Sequence, residues 1–123
     1  MEPVEKTVID WLNADPELKD WPASMDVPAA STAARPTRFI TVERTGGTEE
    51  WFRSLPLVAV QVWGTSSYEV ADTATRLVLP RLKRLVELDP VADVDVTGMT
   101  HFPAPDGRPR YQILIQPTIK VNL

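Results

Sequence analysis

The spacing of apolar residues changes along the chain, and each change marks an element. Leu57-Val58-Ala59-Val60-Gln61-Val62-Trp63 is an almost unbroken apolar run rich in β-branched residues. Such a run fits a strand covered on both faces, in the middle of a sheet. Val58, Val60 and Val62 point to one side, and Leu57, Ala59, Gln61 and Trp63 to the other. Gly64 to Ser67 breaks the strand, and Ser66 with Glu69 has the spacing of a capping box at a helix start. Val70, Ala74, Leu77, Val78, Leu82, Leu85 and Val86 then recur at helical spacing. Pro80 interrupts this helix, because it removes a backbone donor and crowds the preceding turn, at about 3 kcal/mol in a regular helix. The stripe continues past it, so the spacing predicts one kinked helix in preference to two.

Elsewhere the pattern is sparser. Val4, Val8, Trp11 and Leu12 form one helical stripe, with Pro3 suited to the first turn. Asn13-Ala14-Asp15-Pro16 ends it, since the residue before proline leaves the α region, and Pro16 to Trp21 has room for one more turn. Pro22 to Pro36 turns to Ala, Ser, Thr and Pro and reads as an extended surface connection. Thr37 to Arg44 predicts a strand carrying Phe39, Ile40 and Val42. Thr45-Gly46-Gly47 signals a turn, followed by a long connection to the strand that begins near Pro56. Val91 to Phe102 alternates, with Val94 and Val96 opposite Asp93 and Asp95, as an edge strand would. Asp106-Gly107 marks a hairpin turn. Tyr111, Ile113, Ile115, Ile119 and Val121 then alternate with polar residues, and Pro117 argues for an edge or a bulge there.

The predicted fold class is α+β, two-layer: a four-stranded mixed sheet with helices on one face, in the order α-β-β-α-β-β. Residues 1–123 form a single domain in this reading. If the second and third strands are parallel neighbours, the crossover between them is right-handed. Edge strands remain on both sides, and a protein that joins copies of itself can use them.

Composition narrows the function classes. The chain has 123 residues, is 43% hydrophobic and 24% charged, and contains no cysteine. Disulfides and thiolate metal sites are therefore excluded, which fits a reducing compartment. No apolar segment approaches the roughly 20 residues of a membrane span, and the N-terminus has no secretory-signal pattern. A net charge of −4 argues against sequence-wide attraction to nucleic acid. Residues 1–30 hold seven acids against two lysines, a net of −5, while the other 93 carry eleven bases against ten acids. That asymmetry either orients a head-to-tail contact or simply keeps the first helix solvated.

Candidate chemistry is thin. His101 has no residue spaced to pair with it, and Asp93 with Asp95 lacks a third oxygen ligand. No catalytic residue, metal site or cofactor is expected. What remains are contact surfaces. Glu49, Glu50, Trp51, Phe52 and Arg53 set two aromatics beside charges, the composition of interface centres; alternatively Trp51 and Phe52 fold back on the core. Arg76, Arg81 and Arg84 cluster with Lys83 on the second half of the central helix, as a solvated face or one side of an oligomer contact.

Arg38 to Gly47, followed by Leu57 to Gly64, resembles the tail terminator (tail-completion, minor tail) proteins of long-tailed bacteriophages. Ala71, Ala74 and Leu82 in the helix, and Arg110-Tyr111-Gln112-Ile113 near the end, extend the likeness over roughly residues 36–121. The shared features are strand and turn patterns rather than a catalytic signature. The resemblance implies a non-enzymatic virion protein, assembled in the host cytoplasm, whose hexameric ring caps the tail tube and stops its polymerisation. Its implied partners are further copies of itself, the tail-tube protein and the head-closure or connector protein, with genome DNA passing through without specific binding. Under that expectation Thr48 to Arg53 meets a partner, and Arg76, Arg81 and Arg84 pair with a neighbour's acids. A head-closure (stopper) neck protein, a non-viral α+β ligand-binding domain and a small enzyme are the other readings.

Overall fold

The apolar run from Leu57 to Trp63 lies inside a longer strand, and the helix that follows covers it. The structure, a computed structural model, describes residues 2–28 and 37–121. In chain order the elements are α1 (Val4–Asn13), a 3-10 turn (Pro16–Leu18), β1 (Ala23–Ser24), β2 (Phe39–Glu49) and β3 (Arg53–Trp63). Then come α2 (Ser67–Thr73), a π-helical turn (Ala74–Val78), α3 (Leu79–Lys83), a second 3-10 turn (Arg84–Glu87), β4 (Val91–His101) and β5 (Arg110–Lys120).

The class is α+β, but the sheet has five strands where four were predicted, in the order β1-β2-β3-β5-β4. The additional strand is β1, which pairs in parallel with Ile40 and Thr41. It falls within the segment read as a surface connection; residues 29–36 of that segment lie outside the described residues. Two residues are too few to show any periodicity. Their strand conformation is imposed from α1, where the Asn13 side chain accepts from the Ala23 amide at 2.9 Å and donates to its carbonyl at 3.1 Å.

The second correction concerns β5. Pro117 and strict alternation pointed to an edge or a bulge, yet β5 runs between β3 and β4, antiparallel to both. β3 and β4 are consequently parallel in direction but not neighbours. Ile113, Ile115 and Ile119 are buried, whereas β4 carries Asp93 and Asp95 and is mostly exposed, so the more apolar strand takes the interior. Pro117 is tolerated because the register Ser54↔Ile119 and Val58↔Ile115 sets it opposite Pro56. Two residues without amide donors face each other, and Gln116 donates its side-chain amide to the Leu55 carbonyl at 3.1 Å.

The third correction is the hairpin. Gly46 and Gly47 do not turn the chain; they sit within β2 at a register shift. Gly47 has φ +105°, and a Cβ there would lie 2.3 Å from the Leu55 carbonyl oxygen, so the bulge admits only glycine. The turn itself is Glu50 to Arg53, closed by the Glu50 amide on the Arg53 carbonyl at 2.8 Å. The edges, too, are blunter than expected: β4 carries two register shifts and β2 one.

Val58, Val60 and Val62 of β3, with Ile40 and Val42 of β2, form the core under α1, α2 and α3. Each such side chain withdrawn from water contributes about 1.5–3 kcal/mol. Pro80 neither breaks nor ends the helical path. The Leu79 amide donates to the carbonyl of Ala74, five residues back, and this wider turn accommodates the proline ring. The capping box is shifted by one residue. Ser66 Oγ accepts from the Glu69 amide at 3.1 Å, but Glu69 answers to the amide and hydroxyl of Thr65.

Candidate interaction surface

The two halves of β2 set the geometry of the surface. Phe39 to Val42 are buried, whereas Thr45 to Glu49 are all exposed in succession. Successive strand residues point to opposite faces, so this half of β2 is open on both. Pairing with β1 ends at Thr41, so the outer edge beyond it is unpaired among the described residues.

Trp51 and Phe52 occupy the hairpin tip and are 73% and 69% exposed. They do not fold back on the core. Their frame is nevertheless held at several points. The Ser54 hydroxyl donates to Glu49 at 2.7 Å, Arg44 pairs with the same carboxylate at 2.9 Å, and Arg53 pairs with Glu50. The hydroxyl of Ser54, then the Arg44 guanidinium, lowers the Glu49 carboxyl below its ordinary value. Beside the turn, the Val121 amide donates to the Phe52 carbonyl at 3.0 Å and Arg53 lies opposite Lys120.

The predicted arginine cluster separates. Arg81 is committed within the chain: its guanidinium donates twice to the Trp11 carbonyl, at 2.7 and 3.0 Å, and lies 3.6 Å over the indole. In return the indole N–H donates to the Arg81 carbonyl at 2.7 Å. Arg76 and Arg84 are exposed and pair with Asp72 and Glu87 on their own helical rod. The acids of the first turn-and-helix segment stand near these bases in the same subunit: Asp15 and Glu17 share a shallow depression with Arg76, Arg81 and Arg84. Two of the seven N-terminal acids thereby face bases of the same chain.

Two features had no counterpart in the sequence reading. An apolar cleft of about 500 Å³ opens beside the hairpin turn, floored by Leu88, Pro90, Val91, Ile119 and Val121. It depends on the register Val91↔Ile119, which no local pattern announces. On the face of the sheet away from the helices, Trp63 stacks on Phe39 at 5.2 Å and carries the guanidinium groups of Arg108 and Arg110. The indole N–H reaches Thr41 Oγ1 at 3.0 Å. Arg108 and Arg110, two apart at the start of β5, were the local hint. His101 is exposed on β4 opposite Tyr111, and Asp93 Oδ1 accepts from the Val94 amide. Among the described residues no group of three or more His, Cys, Asp or Glu side chains could hold a metal ion.

Compared with known proteins, the chain matches no protein-family model and no curated protein.

Proposed function

We propose that this chain is a structural subunit of a bacteriophage tail: a ring, hexameric by resemblance, that caps the tail tube, stops its growth and joins it to the head connector. The observation that carries the reading is the hairpin tip. Two adjacent large aromatics stand in water on a turn clamped by ion pairs and by β5, which is costly for a monomer and useful at an interface. Rigidity adds to this, because a pre-ordered tip loses little freedom on binding. The open outer edge of β2 and the resemblance over roughly residues 36–121 support the same reading. A net charge of −4 suits passage of DNA without adhesion.

Sedimentation of the purified protein, alone and with cognate tail-tube protein, tests this. The expected result is a closed ring of several subunits that binds tube ends. Protein that remains monomeric at high concentration and ignores tube subunits overturns it. The apolar cleft favours a second reading, a ligand-binding domain, which predicts a monomer or dimer that takes up a small apolar molecule there.

A further inference from the structure

We infer that the hairpin tip of one copy enters the apolar cleft of the next, so that subunits join tip-in-cleft rather than through their arginines. The inference rests on the ring reading above and names the occupant of the tip's contact as a second copy of this chain.

Both surfaces are apolar, both are exposed, and both lie at one end of the sheet. Trp51 and Phe52 form the projection; Leu88, Pro90, Val91, Ile119 and Val121 floor a cleft of about 500 Å³. Val86, two residues before that floor, is a further 47% exposed apolar side chain. A chain cannot close its own cleft with its own tip. The Phe52 carbonyl is held by the Val121 amide and Arg53 is in register with Lys120, which fixes the turn beside two residues of the cleft's lining.

Charge favours a copy of the same chain. Glu2 and Asp89 line the cleft together with Lys120, and the tip carries Arg53 and Glu50, one of each sign flanking the aromatics. With their own pair kept, Arg53 and Glu50 of an entering tip can join the acids and the lysine in one network of alternating charge. The alternative electrostatic contact is weakened, because Arg81 is engaged by Trp11 and the neighbouring acids belong to the same subunit.

Area fixes the expected strength. Two aromatics of about 150–250 Å² each, mostly exposed, offer roughly 300 Å², or about 600 Å² counting the cleft. That is below the about 1,200 Å² of a stable pair. A single tip-in-cleft contact is therefore weak, and a closed ring, in which every copy is held at both its tip and its cleft, is stable.

The test is complementation between two variants. Trp51→Ala with Phe52→Ala removes the tip and keeps the cleft; Thr7→Trp, on the α1 side of the cleft, blocks the cleft and keeps the tip. Each alone is expected to weaken self-association at least tenfold in sedimentation equilibrium, with unchanged thermal melting. Because a 1:1 pair holds only one such contact, an equimolar mixture is expected to pair weakly, at high concentration, and to grow no further, and Trp51→Phe with Phe52→Leu is expected to retain the ring. A tip-less variant that assembles like the parent, or a mixture that fails to pair, overturns the inference. If that variant keeps its ring but loses tube binding, the tip meets the tube, and the ring reading stands without tip-in-cleft. If the parent forms only a dimer that needs both tip and cleft, the contact stands and the ring falls.

Discussion

The two halves of strand β2 share a partner strand, yet one is buried and the other open to solvent. Phe39 to Val42 are buried, paired with β3 and in part with β1, while Thr45 to Glu49 carry glycine, threonine and charge into solvent. The first half holds the fold together. The second presents a tip whose frame is maintained by side-chain hydrogen bonds and ion pairs rather than by apolar burial. Burial and exposure are thus separated along one strand, with a register shift between Arg44 and Gly46 where the exposed stretch begins.

This contrast can be broken at its base. Ile40 is fully buried, so Ile40→Ala should lower unfolding free energy by about 2–5 kcal/mol in chemical denaturation. A smaller loss in Ile40→Ala than in tip substitutions would invert the comparison. The arginines repeat the contrast on the helical rod. Arg81→Ala, which strips two charged donors from the Trp11 carbonyl, should cost about 1.5–3 kcal/mol. Arg76→Ala and Arg84→Ala, at exposed i,i+4 and i,i+3 pairs, should leave the denaturation midpoint close to the parent's.

Gly47→Ala probes the junction itself. The positive φ and the close Leu55 carbonyl predict a loss of about 1–3 kcal/mol. Amide exchange should accelerate from Thr48 to Ser54 while Val60 stays protected; uniform acceleration would show that the two halves are not separable. Trp51→Ala with Phe52→Ala should leave stability within about 0.5 kcal/mol, and a large loss would return the aromatics to a structural role.

The smallest effect is with pH. The Ser54 hydroxyl and Arg44 lower the Glu49 carboxyl, and Arg38, followed by donors from Thr65, lowers Glu69. A lowered folded value means stability that is present above the ordinary glutamate range, about 4.3, and lost as pH falls through the folded value. Acid should therefore loosen the tip and the start of α2 slightly. Chemical shifts of Ser54 and Thr65 between pH 6 and pH 3 would register it, and shifts that move only above pH 5 would contradict it.

Elements whose cause is local were legible in the chain. β3 follows from a β-branched apolar run, α2 from Ser66 with Glu69 and a 3.6-residue stripe, and the helical continuation from Leu82 and Leu85. Each depends on residues within a few positions of one another. The sequence also singled out Trp51 and Phe52 without choosing a place for them, since aromatics beside acids suit either core or contact. Tertiary structure alone put them outside the core, by anchoring the turn through Val121 and leaving Trp51 and Phe52 uncovered. It also decided that β5 lies inside the sheet, that Asn13 draws Ala23 into a fifth strand, and that Arg81 turns inward to Trp11. These outcomes join residues far apart in the chain. A pattern of apolar positions shows what must be buried but not which distant partner will bury it.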